Sequence, residues 1–312
     1  MIKKILITPK SYSTYKHKAY PLLKAKGYEI IENTLGRTMT EDEIINYAKD
    51  DVVGIIVGID PLSASVLQEC KSLIAASKYG VGMDNIDLAK AKELGIKIKN
   101  AVGTNNISVA EHAIALMFSI ARSIPSISAG VKKGSWGRVI GCELTGKTLG
   151  LIGGGQIGKE VAKRACGLEM NVIIYDPYFN DNDFLNKYSI TRCNELNDLL
   201  STSDFISLHV PVTEDTKKMI NKKAIEIMKP TAFIINTSRG ELVDEEALYQ
   251  ALVNKQLSGA AQDVFSMEPP CKDEKLLQLD NFILTPHIGA FTSEAVEKMV
   301  LVSTQNLLDM LA

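Results

Sequence analysis

Residues 149–165 read "LGLIGGGQIGKEVAKRA". An apolar run closes on three glycines, Gly153, Gly155 and Gly158, in the spacing G-x-G-x-x-G, and a helical pattern follows at once. The first glycine permits a tight turn, the second lets an anion approach the backbone, and the third lets helix and strand pack closely. The start of the helix then offers unpaired amides and a favourable dipole to a phosphate. Glycine-rich turns also arise for steric reasons alone, so the neighbouring sequence decides between the two readings. "MNVIIYDP", residues 170–177, is a second apolar run, and it ends on Asp176, 18 residues after Gly158. A carboxylate there can accept hydrogen bonds from both hydroxyls of an adenosine ribose and would repel a 2′-phosphate. Nothing basic follows to offset it, only Pro177, Tyr178 and Phe179. The pattern favours NAD over NADP.

Outward from this motif, short apolar runs alternate with helical patterns. Ile5–Thr8, Val53–Ile56, Leu73–Ala76, Leu149–Ile152, Val172–Tyr175, Phe205–Leu208, Phe233–Asn236 and Phe282–Thr285 read as strands. Strands separated by helix-length segments predict βαβ units and parallel sheets, and there are more strands than one sheet comfortably holds. Ser108-Val109-Ala110-Glu111 has the pattern of a capping box at a helix start. The following "AEHAIALMFSIARSI" is apolar on nearly every face, so this helix is expected to be covered all round, between domains or between subunits. Domain crossovers are expected near residues 100 and 284. Residues 1–100 with 285–312 then form one domain, and residues 101–284 form the dinucleotide-binding one.

Composition narrows the partners. The 312 residues are 46% hydrophobic and 23% charged, with net charge −2 and pI near 6.2. Such a balance is that of a folded globular chain and gives no electrostatic reason to bind nucleic acid or an anionic membrane. Small molecules are the expected partners. The opening "MIKKILITPK" carries two lysines and too short an apolar stretch for a secretory signal, and no segment reaches the ~20 apolar residues of a membrane span. A cytoplasmic protein is expected. Cys70, Cys142, Cys166, Cys193 and Cys271 lie far apart with no CxxC pair, so neither a disulfide framework nor a metal site is expected and the thiols read as packing residues.

Arg239 follows the apolar run 232–235 and the polar triplet Asn236-Thr237-Ser238. A guanidinium at the end of a core strand has no neutral form to retreat to and requires an anion, either a carboxylate of the chain or a ligand. Four histidines are present. His17 sits among lysines and His112 falls on the apolar helix. His209 and His287 both follow strands, at the rim where parallel sheets hold their ligands. Either has the residue type for proton transfer near neutral pH, and position does not choose between them.

The ordered set "GGGQIG", "YDP", "LHVPVTEDT", "NTSRGELVDEEAL", "DVFSMEPP" and "TPHIGA" resembles the D-isomer-specific 2-hydroxyacid dehydrogenases, the family that includes phosphoglycerate dehydrogenase. "KYGVGMDNIDLAKAKELGI" and "NNISVAEHAIALM" extend the likeness through most of the chain. The resemblance implies two Rossmann-like, doubly wound parallel-sheet domains: a flavodoxin-like substrate domain and an NAD-binding domain. It implies that NAD and a small 2-hydroxy or 2-oxo acid are bound, with a homodimer formed through the NAD-binding domain. Arg239 would hold the substrate carboxylate and polarise the oxygen being reduced. His287 would be the acid/base, and Glu268 would pair with it and favour its protonated form. Amides of Gly80, Val81 and Gly82 would bind the carboxylate. Gln156 and Ile157 would donate amides to the pyrophosphate, and His209, Pro211, Thr216, Thr237 and Asp263 would line the dinucleotide.

The chain departs from the phosphoglycerate dehydrogenase pattern in one loop. Where an arginine that neutralises the substrate phosphate is usual, Gly58, Ile59 and Asp60 stand here. Lys78 and Tyr79 border the carboxylate loop and are the candidates to replace it. No room for a regulatory domain is expected after His287. The leading expectation is an NAD-dependent interconversion of a D-2-hydroxy acid and its 2-oxo acid, with 3-phosphoglycerate, glyoxylate or hydroxypyruvate as substrate. An NAD(H)-sensing corepressor of the same fold is the alternative, and phosphite oxidation a third reading.

Overall fold

The computed structural model describes residues 3–312. Met1 and Ile2, the first residues of the segment tested above as a secretory signal, lie outside the described residues. The chain divides into two compact units: the residues up to Asn105 together with Phe291–Ala312, and Asn106–Ala290. The first crossover thus falls after Asn105 rather than near 100. The second falls after Ala290 rather than near 284, which puts His287 in the unit that carries the glycine motif.

The first unit holds β1 (Lys4–Ile7), β2 (Glu29–Glu32), β3 (Val52–Val57), β4 (Ala75–Lys78) and β5 (Lys97–Asn100). They pair in parallel in the order β2-β1-β3-β4-β5, the flavodoxin-like arrangement. β3 is buried at every position, as a central strand covered on both faces must be. The C-terminal helix Ser293–Leu311 covers it closely, since a methyl group added at Gly54 would sit 3.1 Å from Leu307 and Leu311. The strand expected at Leu73–Ala76 begins two residues later, at Ala75. Its neighbour β5, "KIKN", alternates exposed and half-buried residues and had no apolar run to announce it.

The second unit holds β6 (Thr148–Ile152), β7 (Asn171–Tyr175), β8 (Thr191–Cys193), β9 (Phe205–Leu208), β10 (Phe233–Asn236), β11 (Gly259–Gln262) and β12 (Phe282–Leu284). All pairs are parallel, in the order β12-β11-β10-β9-β6-β7-β8. Renumbered from β6, this is 3-2-1-4-5-6-7, the Rossmann order with one added strand, and the direction of winding reverses between β6 and β9. Phe233 and Phe205 face each other across β10 and β9 and stack with centroids 5.0 Å apart. One apolar core lies on each face of this sheet, around Leu151 and Ala162 on one side and Leu208 and Leu248 on the other.

Helix Asn106–Ala121 lies in the first of these cores. It starts two residues before the expected cap, so Ser108 is its third residue and is buried; a capping box is formed instead by Thr40 with Glu43, at helix Glu41–Ala48. Its close packing explains β11, a strand of sequence "GAAQ" that no β-branched residue marks: a methyl group at Gly259 would fall 2.9 Å from Ile120. The helix is not covered on every side within its own unit, where Ile107 and Phe118 are exposed. Among the cysteines, Cys70 is buried, and Cys271, read from sequence as a packing residue, is exposed.

Candidate active site

At the end of β6 the backbone of Gly153 has φ +102, and a methyl group added there would stand 2.4 Å from the carbonyl oxygen of His209, at the end of β9. Only glycine allows both the left-handed turn and this approach at the switch point of the sheet. Gly158 is equally constrained, 2.1 Å from the Gly153 carbonyl, whereas nothing lies within 4 Å of an added methyl at Gly155. That open position is where an anion can come down on the backbone. Gly155 caps helix Gln156–Gly167 without any side chain satisfying its first amides, among them those of Gln156 and Ile157. Asp176 closes β7 and accepts from the amides of Gly154 at 2.8 Å and Tyr178 at 2.9 Å.

Three buried polar atoms in this unit, Nδ1 of His209, Oγ1 of Thr237 and Nε2 of Gln262, have no hydrogen-bond partner among the described residues. A buried polar atom without a bond is costly, and a ligand amide or phosphate would supply what is missing. Open glycine, uncapped helix start and orphaned atoms together fit a bound dinucleotide. Burial pulls the pKa of His209 down to about 4, so the ring is neutral at pH 7; its Nε2 meets Ser207 Oγ at 2.8 Å. Thr216 donates to the Pro211 carbonyl at 2.7 Å, closing the loop after β9.

β10, β11 and β12 are neighbours, and their carboxyl ends present the remaining groups. Arg239 leaves β10 through Asn236, a fully buried amide that donates to the Arg239 carbonyl at 2.8 Å and accepts from the Ser238 amide at 3.0 Å. These two bonds fix the backbone from which the guanidinium projects, and they explain why an apolar strand ends in asparagine. The guanidinium donates to the Ser238 carbonyl at 2.6 Å. The next residue, Gly240, lies against the 265–266 backbone, its missing methyl group only 2.1 Å from the carbonyl carbon of Phe265. The turn that carries Arg239 is therefore seated on the turn that leads to Glu268.

Glu268 reaches back to accept from the Phe265 amide at 2.9 Å and meets Nδ1 of His287 at 2.8 Å. Partial burial raises the carboxyl's pKa, but the bonds from His287 and Phe265 outweigh it and hold Glu268 below the usual carboxylate range. With Nδ1 engaged, Nε2 is the remaining ring nitrogen of the half-exposed His287. His287 itself has φ +54, a left-handed conformation that costs a residue with a side chain roughly 1–2 kcal/mol. Asp263 holds it there. Its carbonyl accepts from the His287 amide at 2.9 Å, and its carboxylate accepts from Ile288 at 2.9 Å and Gly289 at 2.7 Å. Asp263 is buried, which raises its pKa, yet bonds from His112, Thr285 and these amides bring it below the ordinary value. Neither the Asn236 bonds nor the Asp263 turn is legible in the sequence: a polar residue ending an apolar run is the only signal for Asn236, and no apolar run announces the strand that Asp263 follows.

In the first unit the loop after β4 is built to expose amides. The Gly80 carbonyl accepts from Ala101 at 2.8 Å and the Val81 carbonyl from Asn100 at 2.6 Å, while Gly80 has φ +128. The amides of Gly80, Val81 and Gly82 donate to no group among the described residues. The side chains of Lys78 and Tyr79 are buried: Lys78 donates to the Gly58 carbonyl at 2.5 Å and to Asn85 at 2.7 Å, and Tyr79 accepts from Ser11 at 3.2 Å.

A Rossmann sheet with this glycine turn, and a histidine–carboxylate pair at the carboxyl ends of its strands, define a nucleotide-dependent oxidoreductase. Residues 114–289 match the family model described as D-isomer specific 2-hydroxyacid dehydrogenase, NAD binding domain, and the chain belongs to that family, with NAD as its cofactor. It is 43% identical to the hydroxypyruvate reductase of Thermotoga maritima over 84% of this chain and 85% of that protein. It is 42% identical to the D-3-phosphoglycerate dehydrogenase of Methanocaldococcus jannaschii over 86% of this chain, but spans only 51% of that protein. A solved structure of D-lactate dehydrogenase from Aquifex aeolicus complexed with NAD and lactic acid is similar with TM-score 0.84 and 30% identity, covering 98% of this chain and 95% of that one.

Proposed function

We propose that the chain reduces a short, unphosphorylated 2-oxo acid of the glyoxylate or hydroxypyruvate type to the D-2-hydroxy acid, and catalyses the reverse oxidation. The observation that carries this reading is the 2.8 Å pair between Glu268 and Nδ1 of His287. NADH, when bound, would supply a hydride for C2 of the oxo acid. Arg239 pairs with the substrate carboxylate and draws charge toward the carbonyl oxygen, a task its planar fork of donors suits. His287 delivers the proton from Nε2 to that oxygen, and Glu268 keeps Nδ1–H in place and balances the charge of the imidazolium. One hydride and one proton thus convert C=O to CH–OH, and oxidation retraces the path. The amides of Gly80, Val81 and Gly82 are assigned to the carboxylate. Asp176 is assigned to the adenosine ribose, Gln156 and Ile157 to the pyrophosphate, and His209, Pro211, Thr216, Thr237 and Asp263 to the dinucleotide lining.

The preference for an unphosphorylated acid rests on the loops of the first unit. Lys78 is committed to Gly58 and Asn85, and Asp60 is a buried carboxylate where a cation would be needed. The phosphorylated alternative, 3-phosphoglycerate, is favoured by the name of the Methanocaldococcus jannaschii relative. Loss of NADH absorbance with glyoxylate, hydroxypyruvate and 3-phosphohydroxypyruvate decides between them, with the highest kcat/KM expected for one of the first two. His287→Gln is expected to abolish turnover and its pH dependence; unchanged turnover would remove His287 from the reaction. Retained NADH binding without turnover of any oxo acid would favour the sensing reading.

Two further assignments belong to this proposal. Ile107, Phe118, Ile124, Trp136 and Ile140 are exposed apolar side chains of the NAD-binding unit, and we assign them to a homodimer, to be tested by light scattering. No single helix among the described residues is long and apolar enough to cross a membrane, and we assign the protein to the cytoplasm.

A further inference from the structure

His112 projects from helix Asn106–Ala121, within the NAD-binding unit, and its Nε2 lies 2.9 Å from Oγ1 of Thr285 and 3.2 Å from a carboxylate oxygen of Asp263. The donors can be assigned. The Thr285 hydroxyl gives its proton to Asp263 at 2.5 Å, so its oxygen is an acceptor, and a carboxylate only accepts. Nε2 of His112 therefore carries a proton and forks it between the two. The ring also packs against the turn beyond His287: a methyl group at Gly289 would lie 3.8 Å from Cδ2 of His112 and 3.0 Å from Asp263.

Asp263 in turn holds the left-handed turn at His287 through three backbone amides. Its Oδ1 is shared by Thr285, Ile288 and His112, its Oδ2 goes to Gly289, and the carboxylate is almost completely buried. No water replaces a missing donor at so buried a group without rearrangement. We propose that His112 is a positioning residue: it orients the Asp263 carboxylate together with Thr285, and through it sets the backbone angle at which His287 meets Glu268. The geometric chain stands by itself, while its consequence for turnover rests on the function proposed above.

The test compares His112→Leu, which keeps bulk and loses the donor, with His112→Gln, whose amide can donate in place of Nε2. In the leucine variant kcat is expected to fall by about tenfold to a hundredfold, the loss that follows displacement of a catalytic group by part of an ångström or more, with KM for NADH within twofold. The glutamine variant is expected to recover most of kcat. Equal kcat in the two variants, or a loss confined to KM for NADH, overturns the proposal. Histidine ring resonances give a readout that needs no substrate, since the chain has only four histidines. His112→Leu is expected to move the His287 resonances and leave those of His17 in place, and unmoved His287 resonances overturn the proposal even if no oxo acid is turned over. Should the leucine variant not fold, Thr285→Val, which removes the bridging hydroxyl, is expected to move the same resonances, with the same refuting result.

Discussion

Gly240→Ala tests most directly the link between the turn that carries Arg239 and the turn that leads to Glu268. The added methyl carbon would be placed 2.1 Å from the Phe265 carbonyl carbon and 2.2 Å from the Ser266 nitrogen, both backbone atoms. Non-bonded carbons settle at about 3.5 Å or more, so one of the two turns must retreat by roughly 1.4 Å. If the 265–268 turn gives way, Glu268 moves with it, and the 2.8 Å bond to His287 stretches past hydrogen-bonding distance. If the other turn gives way, Arg239 is displaced by a similar amount. Either displacement is expected to cost about a hundredfold in kcat/KM, or roughly 2.7 kcal/mol of transition-state stabilisation. Overpacking adds a destabilisation of about 1–3 kcal/mol, seen as a Tm lower by several degrees. Steady-state rates over a range of oxo acid concentrations, together with NADH affinity from fluorescence, separate these effects. A Gly240→Ala enzyme with full kcat/KM and an unchanged Tm would show that the two turns are not coupled.

Arg239→Ala is expected to lower kcat/KM by about a thousandfold, about 4 kcal/mol, with NADH affinity within twofold; an equal loss in both would assign the guanidinium a structural role. Asp176→Ser removes the acceptor of two backbone amides and the proposed ribose partner, so NADH is expected to bind about tenfold to a hundredfold more weakly while NADPH gains, and an unchanged ratio of the two would contradict the assignment. His209 titrates near 4 in the folded chain against about 6.5 unfolded, so its neutral ring stabilises the fold above pH 6.5. That contribution, up to about 3 kcal/mol, is lost as pH falls from 6.5 to 4, where the unfolded chain takes up the proton first. Chemical denaturation across this range is expected to show a flatter loss for His209→Gln than for the unsubstituted protein, and parallel curves would exclude the residue.

The regions readable in the sequence share one physical property: they are governed by neighbours along the chain. The turn at Gly153 to Gly158 joins one strand to the next helix, so its spacing, read together with the following strand that ends on Asp176, reveals it. β9 and β10 lie in the middle of a sheet covered on both faces, so apart from Ser207 and the closing Asn236 their residues are apolar, which is why Phe205–Leu208 and Phe233–Asn236 stand where the sequence places them. The edge strands β2, β5 and β8 face water and carry charged residues, so no run betrays them. β11 is hidden for the opposite reason: it is fully buried, and the helix lying on it leaves no room for a side chain at Gly259.

The site divides along the same line. Residue type and motif order were enough to select Arg239, Glu268 and His287 as candidates through resemblance. That Glu268 meets Nδ1 of His287 and that Asp263 holds His287 in a left-handed conformation are decisions of the tertiary structure. Each joins groups brought together by the side-by-side pairing of β10, β11 and β12. Hydrogen bonds act over about 3 Å and do not depend on separation along the chain, so a sequence can announce which groups are available but only the folded sheet determines which of them meet.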